Sequence, residues 1–211
     1  MSGFGKEKET ESNDQTTPFV SDSEIIQDIE YAKKLREWIN DDDFFFKMKK
    51  GFSAKRDGFD CYKWHDICDG KGKTLVIIKT KDNYIFGGFT EVGFTKDKSK
   101  YSRLHTFPQD FIRDSNAFIF SLRNDKGDRK PEKFPIKNTK ETKAIFYNKD
   151  WGTYFGEADF SLNSNLQPGY SNFGATYNLP NGIIQGSKEA KSYLAGSYYK
   201  WVVDELETHF I

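Results

Sequence analysis

An α+β domain built on an antiparallel two-sheet β-sandwich, flanked by short helices, is the architecture this sequence predicts. Three observations carry that reading. Aromatic residues make up 17% of the 211-residue chain, with 20 Phe and 11 Tyr, a composition suited to pleated surfaces packed by rings. The stretch from Gly72 to Phe94 reads as two strands, β-branched Thr74–Lys79 and aromatic Tyr84–Phe89, joined by the polar turn Lys81-Asp82-Asn83. Both are continuous apolar runs bounded by turn residues, the pattern of strands covered on two faces. Further short apolar runs follow at turn-marked spacing, as in sandwiches, while helical patterns are confined to the first third of the chain.

The elements follow in order. Residues 1–20 are polar and poor in aliphatics, and are expected to form a disordered tail because they bury too little to offset ordering entropy. Residues 21–211 are expected to form a single domain. Ser21 to Glu24 has the spacing of a capping box, and Ile25, Ile29, Leu35, Trp38 and Ile39 form an apolar stripe, so a helix is predicted over about 23–39. Phe44–Phe46 is read as a short strand or turn, and a second helix is expected over about 60–68, ended by Asp69-Gly70. Gly87 and Gly88 sit where a bulge or a close backbone approach requires no Cβ. Thr95–Tyr101 is a charged loop, 117–122 a strand, and Asn124–Glu132 a turn-rich connection. Strands follow at Phe134–Ile136, Ala144–Tyr147 and Phe155–Leu162, then a long Asn-, Gly- and Ser-rich loop from Asn163 to Asn181, and a closing strand from Tyr198 to Phe210.

Lys+Arg and Asp+Glu are both 32, giving a formal net charge of +0. That balance argues against a nucleic-acid binder, which needs a basic face. No run of 18 apolar residues suggests a membrane span, and the N-terminus has no hydrophobic segment of the secretory type. Cys61 and Cys68 lie seven apart on the second predicted helix, so their Cα atoms are roughly 10 Å apart, too far to pair with each other. This fits a reducing, cytoplasmic setting.

Several side chains invite chemistry. Cys61, His65 and Cys68 stand at i, i+4 and i+7 and share a helix face, a candidate zinc set. The missing C-x-x-C knuckle, the absent fourth ligand and the packing demand on that face favour no metal and no cofactor. Cys61 and Cys68 remain redox candidates, although Asp66 and Asp69 nearby would raise a thiol pKa. His105 and His209 fall in no catalytic spacing. Glu157 with Asp159, and Glu205 with Glu207, alternate along predicted strands as paired carboxylates, read as outward faces. Asn163 and Asn165 with Asp159 offer a calcium reading that no D-x-D-x-D-G pattern supports. Trp151, Tyr154, Tyr170 and Phe173 flank or lie in the long loop, and exposed together they would form a partner site.

Six pieces in order resemble the TLDc domain family in its protist form. They are Phe52-Ser53-Ala54-Lys55 with Arg56-Asp57-Gly58; Trp64 to Gly72, against an aromatic-His-x-x-Cys-Asp-Asn-Lys-Gly pattern; Thr74–Lys79 with Tyr84–Phe89; Tyr154-Phe155-Gly156; Tyr170 to Gly174; and Tyr193-Leu194-Ala195-Gly196. Glu205-Leu206-Glu207 stands where the family has a Glu-Ile-Glu pair. Gly156-Glu157-Ala158-Asp159 departs from the family's glycine run. The resemblance implies a β-sandwich, a link to oxidation resistance, and binding to the vacuolar proton-pumping ATPase from the cytoplasmic side of endosomal or vacuolar membranes. The leading expectation is a non-enzymatic protein-interaction module that binds through loop 163–178 and the last strand, using Tyr170, Phe173, Glu157, Asp159, Glu205 and Glu207. A thiol-based antioxidant using Cys61 or Cys68, and a glycan-binding sandwich, are the alternatives.

Overall fold

A computed structural model describes residues 22–41, 43–95, 110–124 and 130–211, with the side chains of Phe45 and Phe46 outside that description. The 1–20 tail, Ser21, His105 and most of the charged loop after Thr95 lie outside the described residues.

Among the described residues, eleven strands form two antiparallel sheets. The six-stranded sheet runs β1 (Lys49–Ser53), β11 (Val203–Phe210), β2 (Thr74–Thr80), β3 (Ile85–Thr90), β5 (Phe118–Arg123), β6 (Glu132–Pro135). The five-stranded sheet runs β10 (Gly169–Tyr170), β9 (Phe160–Leu162), β8 (Tyr154–Phe155), β7 (Ile145–Phe146), β4 (Phe111–Ile112). The two-sheet sandwich expected from the sequence is therefore the observed fold. Its inner layer is aromatic. Phe86 of the larger sheet meets Phe160 of the smaller at 5.5 Å between ring centroids, and Phe160 stacks on Phe155 at 4.9 Å.

A third layer explains why the central strands are buried on both faces. Val76 and Ile78 point into the core between the sheets, while Leu75 and Ile77 point the other way. There they meet Ile25, Ile26, Ala32, Leu35 and Ile39, supplied by the segment before α1 (Ile29–Ile39) and by α1 itself. Each Ile or Leu side chain among these removed from water contributes about 1.5–3 kcal/mol. Lys133 of β6 donates to the Trp38 carbonyl at 2.8 Å and fixes the far end of α1.

The helix starts later than the apolar stripe implies. Asp28 is its N-cap, accepting from the Glu30 amide. Upstream, the Ser23 hydroxyl accepts from the Ile25 and Ile26 amides, which satisfies those donors outside a helix. Ile29 consequently stands exposed. Phe44–Lys47 is a helical turn, α2, rather than a strand. A further turn, α3 (Ala54–Asp57), follows β1, and α4 (Cys61–Cys68) then packs its Cys61, Trp64 and Cys68 face into the inter-sheet core. One last short helix, α5 (Lys188–Ser192), precedes β11.

Gly87 is held against the neighbouring strand: a Cβ there would lie 1.9 Å from the Val76 carbonyl oxygen. At Gly88 it would lie 2.5 Å from the Phe155 ring. The close approach read from the sequence is real at both positions.

Candidate functional site

The predicted site residues separate into three groups. The first is the α4 cluster. His65 is 8% exposed. Its Nδ1 lies 2.8 Å from Asp69 Oδ1, and its Nε2 lies 2.9 Å from the Trp151 carbonyl oxygen and 3.1 Å from that of Asn148. Tyr147 donates to the other Asp69 oxygen at 3.0 Å. Both ring nitrogens thus face acceptors. Burial pulls the imidazole pKa down, but Asp69 and the two carbonyls outweigh it and leave it raised. Cys61 and Cys68 are fully buried free thiols. Burial is the main cause that raises both, with Asp60 and Asp150 adding to it at Cys61. Neither has the exposed, electropositive setting of a reactive cysteine. Among the described residues, no group of three or more His, Cys, Asp and Glu side chains is placed to hold a metal ion.

The second group is the carboxylates, and here the outward-face reading is corrected. Glu157 and Asp159 do not alternate on a strand: β8 ends at Phe155, β9 begins at Phe160, and Gly156 and Ala158 take positive φ to make the hairpin turn between them. Asp159 is fully buried and accepts from the Gly174, Thr176 and Tyr177 amides, so it organises the loop from inside. Burial pushes its carboxyl up to about 6 against those donors. Glu157 is half-buried between Lys140 and Lys143. Burial acts to raise its carboxyl, but the two ammonium groups hold it below the usual range.

Glu205 and Glu207 are also buried, because β11 lies between β1 and β2 and the N-terminal segment covers it. Glu205 accepts from the Ser53 hydroxyl and the Lys55 amide. Burial pushes its carboxyl up. Glu207 accepts from the Ser23 hydroxyl at 2.5 Å, the Glu24 amide at 2.7 Å and His209 Nε2 at 3.0 Å. Burial would raise it as well, but the His209 and Ser23 hydrogen bonds outweigh burial and lower it. Both carboxylates are anchors of the fold rather than rim charges.

The third group is aromatic. Phe173 is fully buried against Phe134 and Tyr193, and the run from Phe173 to Tyr177 is buried with it. Tyr170 is half-buried at the edge strand β10. Lys200 Nζ lies 5.8 Å from its ring centroid and 5.2 Å from that of Tyr199. Of the seven large apolar side chains exposed among the described residues, three fall within five residues here: Tyr198 (56%), Tyr199 (69%) and Val202 (43%). Sequence reading absorbed this run into the closing strand. The available signal was Tyr198-Tyr199-Lys200-Trp201-Val202 itself, in which Trp201 is buried and its neighbours are not.

A family model described as TLDc domain matches residues 20–194. The chain belongs to the TLDc domain family. A comparison with curated proteins gives no match. As a TLDc domain the chain falls among oxidative-stress-related domains, and no helix among its described residues is long and apolar enough to cross a membrane. The TLDc match ends at Leu194, so the aromatic ledge at 198–202 and β11 lie beyond the matched span.

Proposed function

We propose that this TLDc domain is a non-enzymatic protein-interaction module that serves oxidation resistance by binding and regulating the vacuolar proton-pumping ATPase, and that it reaches vacuolar or endosomal membranes from the cytoplasm through that partner. The observation that supports this reading is the ledge. Its exposed Tyr198, Tyr199 and Val202 adjoin half-buried Tyr170, whereas both thiols and three of the four candidate carboxylates are committed to the interior. Tyrosines are effective anchors because they offer a large amphipathic area with few rotors to freeze. In this reading Asp159 and Phe173 shape the ledge's support from within, Glu205 and Glu207 secure β11 beside it, and Tyr170 is the residue of the expected set that meets the partner.

Capture of the pump's soluble sector by the immobilised domain tests the reading. Tyr170→Ala and Tyr199→Ala are each expected to weaken capture by about tenfold or more, with unchanged melting temperature for Tyr199→Ala. Undiminished capture by both variants, or no capture by the native domain, would refute it.

A further inference from the structure

The ledge at 198–202 lies beyond the family match, but the cations around it come from both sides of that boundary. Lys188 Nζ stands 5.0 Å over the Tyr198 ring, and Lys200 Nζ stands over Tyr199 and Tyr170. Lys81 lies at the lip of a shallow depression lined also by Asp82, Asn83, Tyr84 and Gly196. Its amide donates to the Val202 carbonyl at 3.0 Å, which joins the depression to the ledge. Among the described residues, none of these three lysines has an ion pair with a carboxylate. Nearby cations do: Lys55 and Lys79 share Asp204 at 3.5 and 3.8 Å. Asp82 is the only carboxylate among the described residues that line the depression. Two ammonium groups without an ion pair among the described residues thus stand over tyrosine faces of the ledge, and a third lines the adjoining depression.

We propose that the ledge and depression bind an acidic peptide segment in which carboxylates alternate with apolar side chains. An extended segment points alternate side chains to one side, so its apolar residues pack on Tyr198, Tyr199 and Val202 while its carboxylates reach Lys188, Lys200 and Lys81. An ammonium held over a ring is already partly drawn from water. A carboxylate that closes over it meets a lower effective dielectric, in which the pair is stronger than on an open surface. The excess of cations also speeds encounter with an acidic partner. An anionic lipid surface would offer the same charge, but it meets no long apolar helix face here, and three lysines with an opposing Asp82 are a weak membrane signal. The proposal rests on the reading that this face is the domain's interaction surface, and it specifies the chemistry of the partner.

The test is fluorescence anisotropy of the full chain with a short labelled peptide alternating Glu with Leu and Phe. A matched peptide carrying Lys for Glu, and vesicles of equal parts phosphatidylcholine and phosphatidylserine, are run in parallel. The expected result is saturable binding of the Glu peptide only, weakened by salt. Tyr199→Ala and the charge reversal Lys200→Glu should each reduce affinity about tenfold or more, with native melting curves, since both side chains are exposed. Failure of the Glu peptide to bind, equal binding of the Lys peptide, binding insensitive to both variants, or vesicle binding in place of peptide binding would overturn the proposal. Pump capture separates this outcome from the functional reading. Capture that the Glu peptide does not compete away leaves the interaction module standing and removes its acidic partner. Peptide binding without pump capture does the reverse.

Discussion

The surroundings of His65 favour a protonated ring. Its three hydrogen-bond partners are a carboxylate and two carbonyls, none of which donates, so only a doubly protonated ring satisfies them all. The raised pKa has a definite consequence for stability. A group that binds its proton more tightly in the folded state stabilises fully below its unfolded pKa, here 6.5, and loses that contribution as pH rises through the folded value. Denaturant melts across neutral and alkaline pH should show stability falling through that window. His65→Gln should be less stable at the acid end by about 1–3 kcal/mol and should lack this pH dependence. An equal pH slope in the variant would remove His65 as its source. The shared face of Cys61, His65 and Cys68 was legible from spacing, since helical periodicity is local. The partners were not: Asn148 lies 83 residues downstream and acts through its backbone, which no side-chain pattern announces. Glu205 and Glu207 misled because alternation marks a face, and only tertiary covering decides whether that face meets water. Asp159 misled because it lies in the turn between β8 and β9, not on a strand.

Among elements, the long β-branched and aromatic strands were readable because their runs exceed any turn. β2 and β3 lie within a residue of their expected bounds. The two-residue strands β4 and β10 were not anticipated, because two residues carry no period. The start of α1 was misplaced because Ser23 bonds its neighbours' amides in a turn, a competition that composition does not reveal. The glycine pair was legible, and it yields a graded expectation. Gly87→Ala drives a Cβ toward the Val76 carbonyl, which cannot swing aside, whereas at Gly88 the obstacle is the Phe155 ring. Gly87→Ala should cost about 3 kcal/mol and Gly88→Ala less, read from paired denaturation curves. The reverse order would show that β2 yields more readily than the inner ring layer.

At the scale of the molecule, one carboxylate ties the two ends of the domain together. Glu207 holds Ser23 across 184 residues of chain, and the segment it holds covers Leu75, Ile77, Phe89 and Phe118. A chain starting at Ser21 should melt with the 211-residue chain. One starting at Ile29 should lose several degrees, because a shift of roughly 2–4 °C accompanies each kcal/mol in a domain of this size, and should bind a hydrophobic dye. Equal melting of both would show that the covering segment is dispensable. The sandwich was legible as a class, but the third layer and the ledge were not, because each depends on which residues tertiary packing leaves uncovered. β11 has a further consequence, for synthesis. It is the last of the described strands to be made, yet it sits between β1 and β2. At about 5–20 residues per second, β1 leaves the ribosome roughly ten seconds or more ahead of the strand that will pair with it. Through that interval the nascent chain holds open strand edges and no closed core. Lys49 and Lys50 on β1 are the kind of charges that keep such an edge from pairing with the wrong neighbour, and the emerging protein is a natural client for chaperones until Val203–Phe210 arrives.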